Sequence, residues 1–318
     1  MNDTSPPRVP TWLALAVAVL IGLLTALQAR VNGQLGVRLD DGFVAAAVSF
    51  GSGLVILVIL STLLPAGRSG FARLVDGMRT RSIPWWMLAG GAAGALTVAT
   101  QGLAVGLIGV SLFTVGVVAG QTINALVLDR IGYGPAGIVA VTVPRLIGGA
   151  MVLVAVALGV AGGGVSGVAW WMLVLPVLAG SGIAWQQATN GRLRQRVGTP
   201  LTATLVNFIG GTVLLVIAAG VSVAFAGAPE PFPLEAWLYT GGAIGVVYIF
   251  LSAAIVQYTG VLLLGLGAVV GQLLTSVALD ALWPAPAGPG LAQEATMVAV
   301  ALASVFVAAV PWRRRRAA

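Results

Sequence analysis

The chain has 318 residues, of which 58% are hydrophobic and only 8% charged, with a mean hydropathy of +1.02. A soluble domain carries about 25% charged residues, so this composition cannot solvate the surface of a water-soluble fold of that length. There is no cysteine, which excludes disulfides and thiolate metal sites, and no histidine, which removes the commonest metal ligand and acid–base catalyst.

Apolar runs with few or no charges follow one another along the chain. Thr11 to Ala29 holds one span and Gly42 to Gly67 a second. Ser82 to Leu128 is too long for one helix and predicts two, with a turn near Gly106-Leu-Ile-Gly109. Leu146 to Gly191 predicts two more, broken at Gly162 to Gly167. Val197 to Pro229 holds one, Ala236 to Leu279 two with a turn near Tyr258-Thr-Gly260, and Ala295 to Trp312 the last. Each is near the ~20 residues that cross a bilayer, and together they predict ten spans. The first run is not read as a signal peptide, because its pattern recurs in mid-chain and no convincing cleavage site follows it.

All 16 basic residues are arginines, and they sit in short loops between spans, so the net charge of +7 points to topology rather than to nucleic acid. With a cytoplasmic N-terminus, 14 of the 16 fall on the cytoplasmic side, and only Arg30 and Arg38 fall outside. This is the positive-inside pattern. It predicts a bacterial cytoplasmic-membrane protein with both termini inside. Arg313 to Arg316 read as a topology anchor. The tryptophans near span ends, Trp12, Trp85, Trp86, Trp170, Trp171 and Trp237, read as interfacial anchors, while Trp185 lies within the sixth span beside Gln186.

The chain also repeats itself. At an offset of 158 residues, Gln28 to Ile59 matches Gln186 to Ile217 at 13 of 32 positions, among them Gln28/Gln186, Asn32/Asn190, Gly33/Gly191, Arg38/Arg196 and Phe50/Phe208. At an offset of 151, Trp86, Gly90, Gly94, Gly120, Gln121 and Asp129 match Trp237, Gly241, Gly245, Gly271, Gln272 and Asp280. Two halves result, 1–164 and 165–318, each with five spans. Five is odd, so the second copy enters the membrane upside down. Inverted repeats of this kind are a signature of secondary transporters.

Gln-x-x-x-Asn-Gly-x-Leu, then Ser/Asn-Phe-x-x-Gly, then Gly-Gln with Leu-Asp closing the fourth span of each half, resembles the YdcZ-type branch of the drug/metabolite transporter superfamily. Arg145-Leu-Ile-Gly148 opening the fifth span fits the same pattern. The resemblance covers nearly the whole chain in a fused two-copy form. It implies an all-α polytopic fold of ten transmembrane helices, as two inverted five-helix repeats around a central cavity.

Polar groups are costly inside a bilayer, so the repeated amides are the candidate substrate path. Gln28 and Asn32 lie one helical turn apart, as do Gln186 and Asn190. Gln121 with Asn124, and Gln272 with Thr275, form a second pair of faces, and Ser49 and Asn207 begin the second and seventh spans. The bland alternative for each is interhelical hydrogen bonding, worth about 1 kcal/mol. Asp129 and Asp280 each read as an interfacial carboxylate paired with a neighbouring arginine; proton coupling is the sharper reading. Gly90-Gly-x-x-Gly94 and its copy Gly241-Gly-x-x-Gly245 read as close helix approaches, not phosphate loops. The first span reads Leu20-Ile-Gly-Leu-Leu24 where small multidrug exporters of the superfamily carry a glutamate.

No nucleophile–base pair, metal cluster or phosphate loop is visible, so the sequence predicts no enzyme and no cofactor. The expected activity is secondary transport of a small polar or amphipathic metabolite by one chain acting alone. A passive channel or facilitator and a non-transporting membrane scaffold are the alternatives.

Overall fold

A computed structural model describes residues 10–134, 137–138, 140–161, 168–284, 286 and 290–309. Among them there is no β-strand. Where side chains are apolar enough for lipid, helices are the economical solution, since every backbone N–H and C=O is satisfied within the segment. The helices are α1 (Thr11–Leu39), α2 (Gly42–Leu63), α3 (Pro65–Arg79), α4 (Gly90–Thr100), α5 (Val110–Ile131), α6 (Val143–Ala161), α7 (Trp170–Val197), α8 (Pro200–Ala226), α9 (Gly241–Leu282) and α10 (Leu291–Ala309). A π-helical turn, Gln101–Val105, and a last short turn, Gly106–Ile108, prolong α4.

Among the described residues, seven stretches are long and apolar enough to cross a membrane: those of α1, α2, α5, α6, α8 and α10, and Trp85–Ile108, which contains α4. The 28-residue α7 falls short only in composition, because Gln186 to Arg196 fills its last third with polar groups. The 42 residues of α9 contain two shorter apolar pieces, Gly241–Ile255 and Gly267–Leu282.

The predicted turn at Gly109 is present. Gly109 has φ +85°, and on either side of it the chain reverses against α7. Side chains placed at Gly90 and Gly94 would strike Asn190 and Gln186, so α4 runs antiparallel to α7. Those placed at Gly116 and Gly120 would strike Pro176 and Val177, so α5 runs parallel to it. The second half repeats this arrangement against α1. Gly241 and Gly245 lie on Asn32 and Gln28, whereas Gly267 and Gly271 lie on Ala18 and Val19. The two arms of α9, Gly241–Ile255 and Gly267–Leu282, therefore run in opposite directions along α1, with the turn expected near Tyr258-Thr-Gly260 falling between them. A straight helix of that length would span about 60 Å, twice the hydrocarbon thickness.

Three expectations need correction. The first helix does not stop where its apolar run stops; it continues ten residues past Ala29 to Leu39. The second ends at Leu63 rather than near Gly67, and the arginine-bearing segment after it forms α3 instead of a loop. Trp86 is half-buried beside Tyr133, with the Arg192 guanidinium 5.7 Å from its ring centroid, so it is a packing group. The break at Gly162 to Gly167, the boundary at 164/165, and Arg8 and Arg313 to Arg316 lie outside the described residues.

The two repeats also meet where their equivalent phenylalanines touch. Phe50 of α2 and Phe208 of α8 stack with ring centroids 4.7 Å apart. The contact works because Gly53 and Gly211, also equivalent, leave room: a side chain at Gly53 would hit the Phe208 ring and one at Gly211 the Phe50 ring. Small residues matter here because lipid offers no hydrophobic incentive for helices to associate, so close packing must. Local signals fix the helix starts beside this contact. Asp41 caps α2, accepting from Phe43 N at 2.8 Å and Val44 N at 3.0 Å, and Thr199 caps α8 just before Pro200.

Candidate functional site

The repeated amides converge on the contact between repeats, each pair held by glycines of the other half. Gln28, on α1, donates from Nε2 to Gly241 O at 2.8 Å, and Asn32 donates from Nδ2 to Gln101 Oε1 at 2.7 Å. Ser49 lies beside them, against Gly241. In the second half, Gln186 Nε2 and Asn190 Nδ2 both donate to Asn207 Oδ1, at 2.8 and 3.1 Å, against Gly90 and Gly94. The glycines are required at these points, because any Cβ would occupy the amide's own volume. Gln28, Asn32, Ser49 and Asn207 are buried and line none of the three cavities described next.

Three cavities follow one another between the repeats. The largest, about 130 Å³, lies at the end of the bundle where α5 finishes, between α5, α6, α7, α9 and α10. Its polar wall includes Gln121, Asp129, Arg145 and Gln187, and its apolar wall includes Leu126, Ala184 and Val269. Gln187 and Ala268 are shared with a second cavity of about 40 Å³, which Gln186, Asn190, Ser252 and Gln272 also line. Thr25, Ile183 and Gln272 are shared in turn with a third, of about 10 Å³, bounded by Gln101 and Phe113. From the second to the third the α1 lining moves from Ile21 towards Ala29, and from the first to the third the α5 lining moves from Asp129 towards Phe113. The series thus leads from one end of the bundle into its interior.

Beyond the third cavity the bundle is sealed. The Asn32–Gln101 hydrogen bond crosses it there, supported by the π-helical turn that carries Gln101. Gly33 and Gly36 of α1 meet Val105 and Gly102 so closely that no Cβ would fit. Asp280 closes the same end. Its carboxylate is buried and accepts from Val110 N at 3.0 Å and Ser111 N at 2.6 Å, capping α5 from the other repeat. Further out, the Arg38 guanidinium pairs with Glu235 at 3.0 Å.

The equivalents of these sealing residues at the other end are different. Gly36 and Gly102 correspond to Arg194 and Ala253, which carry side chains where the sealed end has none. Asp129, the equivalent of Asp280, is bound to Arg145 Nη1 at 2.8 Å in the wall of the large cavity. One end therefore packs backbone on backbone while the other retains space.

Among the remaining candidates, Asn124 donates to Ser181 O at 2.6 Å and ties α5 to α7. Thr275 is half-buried and lines none of these cavities. Gln121 and Gln272 do line cavities, and the Oε1 of each is buried without a hydrogen-bond partner. Sequence reasoning missed Gln187. Its signal was adjacency to Gln186, but the missing counterpart in the first half, Ala29, hid it. Glu294 is buried near Asp280 in the first turn of α10. Among the described residues no cluster of carboxylates could hold a metal ion.

One family model, described as "Putative inner membrane exporter, YdcZ", matches this chain twice, over residues 13–158 and 171–310. No curated protein matches. A solved structure titled only "Crystal structure of protein" superposes over 95% of this chain and 97% of its own, with a TM-score of 0.53 and 18% identity, a likeness of fold alone.

Proposed function

This chain belongs to the DMT_YdcZ family, a membrane-transporter family whose model it carries as two repeats, and on that premise we propose that it is a secondary exporter. It carries a small polar or amphipathic metabolite across the bacterial inner membrane by alternating access. The observation that carries the reading is the series of cavities, walled by both repeats, open in volume at one end and stopped by Asn32, Gln101 and Asp280 at the other. A transporter at rest must be closed on one side.

On this reading the chain crosses the membrane ten times, as two inverted five-helix repeats. The seven apolar stretches, α7 and the two oppositely directed arms of α9 supply the ten spans. Both termini are cytoplasmic, so the large cavity faces the cytoplasm and the structure represents the loading state of an exporter. Gln121, Gln187, Gln272 and the Asp129–Arg145 pair face the solute. Gln28, Asn32, Gln186, Asn190 and Asn207 hold the hinge between repeats, where inverted symmetry lets them exchange roles. Asp129 and Asp280 are the groups whose bonding differs between the two states. One chain contains both repeats and forms the whole unit.

The absence of native cysteine makes the test clean. Gln187→Cys in the full chain should react with a membrane-impermeant thiol reagent from the cytoplasmic side only, and Asn32→Cys should be unreactive. A small metabolite that raises the melting temperature of the purified protein should protect Gln187→Cys and be carried against its gradient in proteoliposomes. Labelling of both positions from both sides would mean a channel. No labelling of Gln187→Cys would mean that the cavity is not a path.

A further inference from the structure

We propose that α3 is a docking surface for anionic phospholipid headgroups. The helix has three distinct faces. Gly67, Gly70, Leu74 and Gly77 are buried, and side chains at the three glycines would strike Ser61, Thr199 with Thr202, and Ile83. This face presses the helix along the end of the bundle. Arg73 completes the attachment, donating from Nε to Val197 O at 2.6 Å at the last turn of α7.

Beside that face runs an apolar stripe. Leu64 at its start, then Phe71 and Met78, recur at intervals of seven residues and are 45, 47 and 49% exposed. Seven residues bring a helix back to nearly the same side. Helical rotation puts Arg68 and Arg79 on the far flank of the stripe and turns Asp76 and Ser69 to the opposite side. Arg81 follows at the helix end, exposed and in the left-handed region at φ +57°. Arg81 N→Met78 O and Ile83 N→Gly77 O fix the backbone around it. Among the described residues, no carboxylate lies within ion-pair distance of Arg68, Arg79 or Arg81.

An exposed apolar stripe flanked by unneutralised arginines is the pattern of a helix lying in the membrane interface. The stripe enters the acyl boundary and the arginines sit at headgroup depth. Guanidinium forks match phosphate oxygens in two-point hydrogen bonds, and the stripe confines the helix to where those phosphates belong to lipids. The partner is therefore an anionic phospholipid rather than a soluble phosphate. Through Gly70 and Arg73 the bound lipid is tied to the elbow between α7 and α8, adjoining the helix that carries Gln186 and Gln187.

The test is lipid retention by the purified full-length chain, measured by native mass spectrometry with phosphatidylglycerol or phosphatidylcholine of matched chains. An arginine near an anionic surface is worth about fivefold in binding, so a preference of at least about tenfold for phosphatidylglycerol is expected. Arg68→Gln/Arg79→Gln/Arg81→Gln should reduce it to about twofold or less, whereas replacing Arg313 to Arg316 by Gln should leave it intact. Phe71→Asn/Met78→Gln, which keeps every arginine, should weaken retention of both lipids and stands as the second variant if the triple one fails to fold. Equal retention of the two lipids would overturn the proposal, as would a triple variant that behaves like the parent chain or loss of the preference in the C-terminal variant. Stabilisation by soluble glycerol phosphate equal to that by lipid would also overturn it.

Discussion

Asp129 and Asp280 occupy equivalent places in the two repeats, and their replacement by asparagine should have unequal costs. The Asp280 carboxylate is 2% exposed and accepts two backbone N–H groups, one on each oxygen. Hydrogen bonds to a charged partner are worth about 1.5–3 kcal/mol each. In Asp280→Asn the new amide could keep one acceptor, now neutral, while its NH₂ would face the second N–H and leave that donor buried and unpaired. The loss of one charged bond and the weakening of the other give about 2–4 kcal/mol. Arg30, whose guanidinium feels the Asp280 charge, loses that compensation too. Asp129 bonds a single side chain, Arg145, beside a cavity, with 21% of its own side chain exposed. In Asp129→Asn the amide oxygen can still accept from Arg145, and a partly exposed pair is worth about 1 kcal/mol at most. Equilibrium unfolding of the full chain in mixed micelles, with free energies from linear extrapolation, should place Asp280→Asn below Asp129→Asn by about 1–3 kcal/mol. Equal costs, or a harmless Asp280→Asn, would refute the claim that Asp280 caps α5 in the resting state.

Gln121→Leu and Gln272→Leu should lower solute flux in proteoliposomes by about tenfold or more while the melting temperature stays within a few degrees, because each amide oxygen lacks a protein partner whose loss would be felt. Gln186→Leu should instead lower the melting temperature together with flux, since it removes one of the two donors to the buried Asn207 oxygen. Phe50→Ala should destabilise by about 3–5 kcal/mol in the same unfolding assay, as a buried aromatic emptied from the contact between repeats. Reporter fusions after Arg81 and after Arg316 should prove cytoplasmic and one after Glu230 external; a cytoplasmic Glu230 fusion would rule out ten inverted spans.

Hydropathy and repetition are one-dimensional properties, and what they determine was legible before any coordinates. Lipid allows the backbone only helices or closed barrels, and unbroken apolar runs of about 20 residues select the helix, so the sequence dictated an all-helical membrane protein. Polar residues are rare enough in such helices that Gln28/Gln186, Asn32/Asn190, Gln121/Gln272 and Asp129/Asp280 marked the duplication and the family. The glycine of the turn, Gly109, was legible for the same reason: only a residue without Cβ readily takes φ +85° between two helices. The α3 segment was not, because arginines and glycines read as a loop until its docking face against Thr199 and Thr202 is known.

Tertiary structure alone decided which of the paired residues share a role. Sequence equivalence made Asp129 and Asp280 alike, yet one pairs with an arginine in a cavity wall and the other caps a helix. Gln28 and Asn32 looked like a path and are held in the contact between repeats, while Gln187, without a partner in the first half, lies in the walls of two cavities. The reason is that a pseudo-symmetric chain closed at one end must break its symmetry. Gly36 and Gly102 let backbones touch there, and their equivalents Arg194 and Ala253 carry side chains instead. That difference depends on which helices meet, a property of the folded contacts and not of any one segment.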